Sequence, residues 1–277
     1  MSADHVGRKR DVLTRAHELA QSLATWAMIR STSSNVSMFA TKKNAADFVT
    51  DIDLGIELWV RRTIAEEFPT HAFVGEEFED SAGVEYTWYC DPIDGTTNYA
   101  HGISWFSFSL AMCDEDGPVV GVVADPRTKE IFSAIRGRGA MHRGGPITIE
   151  HRTTLPGSVV LTELLGATFF EGQAELIRSL GKIDVTSRIM GSGTLSLVGP
   201  AVGRGHGALV GRFGAVDHLA SMLIAHEAGL RVLDWDGHDT LFPSDPSTGI
   251  MVAHPAIATE LHGLWRRAVE SEGDRAR

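Results

Sequence analysis

An apolar run, Trp88-Tyr89-Cys90, leads directly into Asp91-Pro92-Ile93-Asp94-Gly95-Thr96-Thr97-Asn98. Pro92 cannot donate a ladder hydrogen bond, so the chain is expected to leave the sheet at Asp91 and fold back, bringing Asp91 and Asp94 to one point. Two carboxylates held that close call for cations. Gly95 permits close backbone approach, and Asp94 or Thr96 is expected to cap a short helix whose free N–H groups face an anion. Asp-Pro and Asp-Gly are also ordinary turn formers, so this string alone leaves a plain turn open. Further acids stand at element ends. Gly75-Glu76-Glu77 follows the apolar run Ala72 to Val74, and Asp217 precedes the helical pattern Leu219 to Ala228, where it is expected to be the N-cap.

The elements that must position these groups can be read from periodicity. Leu13, Leu19, Leu23 and Ala27 among polar neighbours make the stretch from Met1 to Arg30 an amphipathic helix rather than a signal peptide. A second helix is expected after Asp53, ending at Pro69. Short β-like runs follow at 72–74, 87–90, 105–112, 119–124 and 131–135, which predicts a mostly antiparallel sheet, with a hairpin over 136–145. From Ser158 the pattern alternates: a strand over 159–162, then helices over 173–180, 193–202 and 217–228. The expected organisation is an N-terminal α+β half over 1–150, carrying the large sheet and acidic loop, and a C-terminal α/β half over 151–277, contributing Asp217 and the substrate pocket. No internal repeat occurs.

With 277 residues, 43% hydrophobic and 22% charged, the chain has the composition of a compact globular protein. A net charge of −11 without a basic block argues against a nucleic-acid or anionic-membrane partner. No apolar run approaches the roughly 20 residues of a membrane span. Cys90 and Cys113 lack CxxC spacing and are too few for a disulfide framework, so a reducing compartment, the cytoplasm, is expected. The 12 histidines show no ligand spacing, and His218 is singled out only because it adjoins Asp217. Asp234-Trp235-Asp236-Gly237 misplaces the glycine of a calcium loop and reads as a turn. Gly203 to Gly207 is neither a Walker A nor a dinucleotide fingerprint.

Taken together, Asp47-Phe48-Val49-Thr50-Asp51-Ile52-Asp53, Gly75-Glu76-Glu77, the string from Asp91 to Asn98, Arg188 to Gly193, and Asp217 ahead of Glu227-Ala228-Gly229 resemble the inositol monophosphatase family in order and spacing. The resemblance implies a layered αβαβα fold of the α/β (α+β) type and a Mg²⁺-dependent, lithium-sensitive phosphomonoesterase acting as a homodimer. It would place a first Mg²⁺ on Glu76, Asp91 and the carbonyl of Ile93, and a second on Asp91, Asp94 and Asp217. A third, weaker ion would be held mainly by Glu76 and water. Hard oxygen donors suit Mg²⁺, and neither histidine nor cysteine is required. Catalysis would be direct in-line attack of an activated water, without a phosphoenzyme. Thr96 would orient the water, Asp53 would accept the Thr96 hydroxyl proton, and Glu76 would hold the water from its other side. Ile93, Asp94, Gly95, Thr96, Gly193 and Asp217 would form the substrate site, with the Gly95 and Thr96 amides on phosphate oxygens. Asp53 also suits an ordinary helix N-cap, the lesser of the two readings and compatible with the other, and Lys42 or Lys43 either orders the acidic loop or is a solvated surface charge.

The departures from the family pattern fall on the substrate side. The usual Trp-Asp pair is Val216-Asp217 here. The acid found about seven positions earlier, which the resemblance sets against inositol hydroxyls, is replaced by Val210 and Gly211, with Arg212 nearby. An arginine suits a second anionic group. Losing that acid weakens the case for inositol specifically; inositol monophosphate still leads on the family resemblance, with histidinol phosphate, fructose 1,6-bisphosphate and 3′-phosphoadenosine 5′-phosphate as alternatives, and a non-catalytic regulatory protein on the same fold as the reading from another class.

Overall fold

The computed structural model describes residues 3–33, 39–41, 48–149, 154–243, 245 and 247–275. Helix α1 (Ala3–Ser33) buries Leu13, Ala16, Ala20, Leu23, Ala24 and Ala27, a stripe at three- and four-residue spacing. Strands β1 (Phe39–Thr41) and β2 (Phe48–Thr50) pair antiparallel and lead into α2 (Asp51–Glu67), which buries Ile52, Ile56, Val60 and Ile64. Pro69 lies just beyond its C-cap, Phe68.

A seven-stranded sheet follows in sequential order: β3 (Ala72–Gly75), β4 (Thr87–Asp94), β5 (Ser107–Asp114), β6 (Gly117–Asp125), β7 (Glu130–Ile135), β8 (Ala140–His142) and β9 (Gly145–Pro146). Only β3 and β4 pair parallel. The short helix α3 (Thr96–Ala100) interrupts the path from β4 to β5. The second half adds β10 (Val159–Thr162), α4 (Gln173–Gly181), β11 (Thr186–Ile189), α5 (Gly193–Val198) with a 3₁₀ turn over Gly199–Val202, β12 (Gly207–Val210), α6 (Ala215–Glu227), β13 (Arg231–Leu233), β14 (Ile250–Ala253) and α7 (Pro255–Arg275). Its sheet runs β11-β10-β12-β14-β13, with β10 parallel to both neighbours.

Helices α1 and α2 cover one face of the large sheet, while α5 and α6 lie between the two sheets. Helices α4 and α7 close the far side. The result is the αβαβα sandwich. The middle apolar layer joins Val123 and Phe132 of the large sheet to Leu219, Leu223 and Val252, so both halves share a core. Covered on both faces, β6 is buried at every residue and reads as a continuous apolar run rather than an alternating one. Among the described residues, no helix is long and apolar enough to cross a membrane.

One local expectation is overturned. Strand β4 does not stop at Asp91 but continues through Pro92 to Asp94. Asp91 pairs with Ser109 and Asp94 with Ser107, so β4 carries one residue more than β5 over this stretch. The missing N–H of Pro92 is absorbed by this bulge, which bends the strand without ending it.

Helix α6 approaches β6 so closely that a Cβ on Gly121 would lie 2.8 Å from the Ala220 carbonyl oxygen. Because that contact is backbone, a Gly121→Ala substitution must move the helix. It is expected to cost about 1–3 kcal/mol and to lower Tm by roughly 2–4 °C per kcal/mol. Thermal unfolding checks this, and an unchanged Tm would contradict the close packing of the middle layer.

Candidate active site

The start of α2 is fixed by a reciprocal cap. Thr50 is the N-cap, its hydroxyl oxygen accepting from the Ile52 and Asp53 amides at 3.3 Å, while the Thr50 amide donates to Asp53 Oδ2 at 3.1 Å. The Thr50 hydroxyl also contacts Asp53 Oδ2. Asp53 is thus the third helical residue rather than the cap. Its other oxygen, Oδ1, lies 3.4 Å from the Thr96 hydroxyl. That hydroxyl donates to the Ile93 carbonyl at 2.9 Å. Asp53 is fully buried, and burial pushes its carboxyl up to about 6. The Thr50 hydrogen bonds oppose that shift and the Glu76 charge adds to it.

On the bulge of β4, Asp91 Oδ1 accepts the Ile93 amide at 2.9 Å. Asp91 is 3% exposed. Burial, and then the charges of Glu76, Asp217, Asp94 and Asp53, hold it well above the usual carboxylate range. Asp94 Oδ2 accepts from the Ser192 hydroxyl, from the Thr194 amide at 2.9 Å and from Ser107 at 3.4 Å. Burial and the Asp217 charge push Asp94 up to about 6, against the Ser192 and Thr194 bonds and the nearby His218. No hydrogen bond from a described residue reaches Asp91 Oδ2 or Asp94 Oδ1.

Neither Asp94 nor Thr96 caps α3. The N-cap is Gly95 at φ +90°, where a Cβ would lie 2.7 Å from the Gly191 carbonyl oxygen, so only glycine fits this approach. Asp217 likewise is not a cap. Gly214 is the N-cap of α6, and Asp217 is its third residue, half-buried, with its carbonyl accepting from Thr194 Oγ1 at 2.6 Å and Ser109 Oγ at 3.3 Å. His218 Nδ1 accepts the Gly214 amide at 2.9 Å, which leaves the ring proton on Nε2, against Gly193. Burial pushes His218 down to about 4, with Asp94 opposing.

A cavity of about 740 Å³ opens here, lined by Asp94, Gly95, Thr96, Gly193 and Asp217. Asp53, Glu76, Asp91 and Ile93 do not line it. The mutual charge effects nevertheless join Glu76, Asp91, Asp94, Asp217 and Asp53 in one electrostatic cluster. Among the described residues, no three His, Cys, Asp or Glu side chains stand in a ready-made metal cage. Lys42, Lys43 and Asp47 lie outside the described residues.

Two buried acids that sequence reasoning missed hold this site in place. Glu57 pairs with Arg61 at 2.9 Å and accepts the Glu77 and Phe78 amides at 2.8 and 3.3 Å, fixing the turn that carries Glu76. The only signal was its four-residue spacing between Asp53 and Arg61 on an otherwise apolar helix face. Glu163 accepts from the Met190 and Gly191 amides and from Ser196, fixing the turn ahead of Gly193. Nothing in its local sequence marked it.

A profile of the Inositol monophosphatase family matches residues 9–272. The chain belongs to that family. Inositol monophosphatase 2 of Solanum lycopersicum is 36% identical over 210 residues, 71% of this chain and 78% of that protein. Nus factor SuhB of Pseudomonas aeruginosa is 35% identical over 208 residues, 71% of this chain and 75% of its own. The structure of an IMPase from Thermotoga maritima superposes with a TM-score of 0.83 at 26% identity, covering 92% and 98% of the two chains. Inositol monophosphatase membership makes the chain a phosphatase of this superfamily.

Burial pushes Glu163 up to about 7 from an ordinary 4.5, against the Ser196 and Gly191 hydrogen bonds, with the Asp94 charge adding. The folded state therefore binds this proton more tightly than the unfolded state. Its stabilising share is complete below about pH 4.5 and is lost as the pH rises through about 7. In chelator, Tm should fall between pH 5 and pH 8, and Glu163→Gln should flatten that fall. Identical pH slopes for the two proteins would refute it.

Proposed function

We propose that the chain is a Mg²⁺-dependent phosphomonoesterase of small phosphorylated polyols, with inositol monophosphate as the leading substrate. The observation that carries this is the pair Asp91 and Asp94, each with one oxygen engaged by protein donors and the other without a donor among the described residues, beside three further acids. Crowded, buried carboxylates are stable only when protonated or paired with cations, and an all-oxygen set selects a hard divalent ion. Glu76, Asp91, the Ile93 carbonyl, Asp94 and Asp217 would hold Mg²⁺. Once bound, the ion supplies a lowered pKa for water and charge neutralisation for the phosphate.

The remaining work falls to the chain. The Thr96 hydroxyl donates a hydrogen bond to the Ile93 carbonyl and lies 3.4 Å from Asp53 Oδ1. Its lone pairs would accept from the attacking water, aim it in line at phosphorus and receive its proton as the hydroxyl's own proton passes to Asp53. Asp53 takes up the hydroxyl proton, and Glu76 holds the water from the opposite side. The Gly95 and Thr96 amides, with Gly193 beside them, receive phosphate oxygens as charge builds. The resemblance brings with it a homodimer and lithium sensitivity. Light scattering and Li⁺ titration test these, and a monomer at working concentration or activity indifferent to Li⁺ would remove them.

The relatives named Nus factor SuhB favour a second reading, a regulatory protein on the same fold. Phosphate release separates the two. With Mg²⁺, inositol 1-phosphate or another member of a sugar-phosphate panel should be hydrolysed. Thr96→Val should lower kcat about a hundredfold. Asp91→Asn should abolish both turnover and the rise in Tm that Mg²⁺ gives the unsubstituted chain. A panel without turnover would defeat the phosphatase reading and leave the regulatory one.

A further inference from the structure

We propose that Arg212 selects substrates whose leaving group carries a second anionic group, a phosphate or a carboxylate, remote from the ester that is cleaved. This deepens the phosphatase reading and rests on it. Arg212 follows β12 and lines the same cavity as Asp94 and Asp217. Its guanidinium is exposed and makes no hydrogen bond or ion pair with any described residue. In a chain with 36 acids against 25 bases, it is a cation left for something else to pair with. A guanidinium presents a fixed fork of donors that matches the planar or tetrahedral oxygens of carboxylate and phosphate.

Among the described residues, the rest of the lining offers donors and apolar surface but few carboxylates. His218 is 7% exposed, and its Nδ1 is committed as an acceptor to the Gly214 amide, so Nε2 can only donate while the ring is neutral. No hydrogen bond from Nε2 to a described residue is made. Among the described residues lining the cavity, the one carboxylate apart from Asp94 and Asp217 is Glu163, whose two oxygens already accept from Met190, Gly191 and Ser196. Leu164, Leu165 and Ile189 add exposed apolar side chains. A neutral polyol needs acceptors for its hydroxyl protons, and this wall does not provide a free carboxylate for them. An acidic group needs only donors, which Arg212 and His218 supply.

The test compares kcat/KM with Mg²⁺ for four esters: fructose 1,6-bisphosphate, 6-phosphogluconate, inositol 1-phosphate and glycerol 2-phosphate. The unsubstituted chain should favour one or both of the first two. A lead for the bisphosphate identifies a second phosphate, and a lead for 6-phosphogluconate identifies a carboxylate. Arg212→Gln should cut the ratio of kcat/KM for the favoured acidic ester to that for glycerol 2-phosphate by roughly tenfold or more, mainly through KM. Arg212→Glu should shift preference toward inositol 1-phosphate. A ratio unmoved by both substitutions, or a tenfold preference of the unsubstituted chain for the neutral polyol esters, overturns the assignment while the phosphatase reading stands. If none of the four is hydrolysed, both fall.

Discussion

Like charges forced together out of water govern this molecule. Asp91 sits almost fully buried beside Glu76, Asp217, Asp94 and Asp53, and each neighbour makes its ionisation harder. A fold does not accumulate such repulsion for stability, since burying a carboxylate without a partner is among the costliest things a protein can do. The protein's response is uneven. Asp53 receives the Thr50 amide on one oxygen, Asp91 the Ile93 amide, and Asp94 the Ser192 hydroxyl with the Thr194 amide. Each carboxylate is anchored through one edge, which sets its orientation, while the opposite oxygen is left with a long contact from Thr96 or with no donor among the described residues. That asymmetry is what a ligand-binding carboxylate requires, because a fully satisfied one would have nothing left to offer.

Behind these acids stands a second pair whose oxygens are spent on backbone amides: Glu57, away from the cavity, and Glu163, at its edge. Glu57 gathers the amides of Glu77 and Phe78, and Glu163 gathers those of Met190 and Gly191, so in both cases a buried side chain shapes a turn from a distant element. Glycines make the fit possible. A Cβ on Gly75 would overlap the Glu57 carboxylate, and one on Gly193 would press on His218 Nε2. Precise placement of reacting groups depends on such supports, because a displacement of about 1 Å in a catalytic group can cost a hundredfold in rate.

The contrast between what the sequence disclosed and what it withheld follows from range. The string from Asp91 to Asn98 carries its meaning locally, because Pro92, Gly95 and two acids within four residues can be interpreted without knowing what packs on them. Helix α1 and strand β6 were legible for the same reason, since their patterns lie within one window. The caps were misplaced because Thr50 and Gly214 differ from Asp53 and Asp217 by a single helical turn, and both types suit a helix start. Strand β4 ran past Pro92 because its partner β5 absorbs the extra residue, a property of the pair rather than of either strand. The C-terminal strands and α7 were not anticipated at all. Glu57 and Glu163 were invisible because their donors lie 20 to 33 residues away, and a lone glutamate in sequence is by default a surface charge.

The layered architecture explains why the site forms where it does. Helix α6 packs against the large sheet, and its first turn meets the end of β4 because Thr194 and Ser109, from opposite halves, both donate to the Asp217 carbonyl. The Ser192 hydroxyl, from the second half, closes the same circuit through Asp94. The acidic cluster is therefore a seam between halves rather than the property of either, and any loosening of the middle layer moves Asp217 relative to Asp91. The cavity beyond the seam belongs mainly to the second half, where β12 ends and Arg212 and Phe213 begin. Chemistry and selectivity are thus held by different parts of the chain. The β12–α6 connection can change its charge without disturbing the carboxylates anchored on β4, which is how an intact set of acids coexists here with an altered wall.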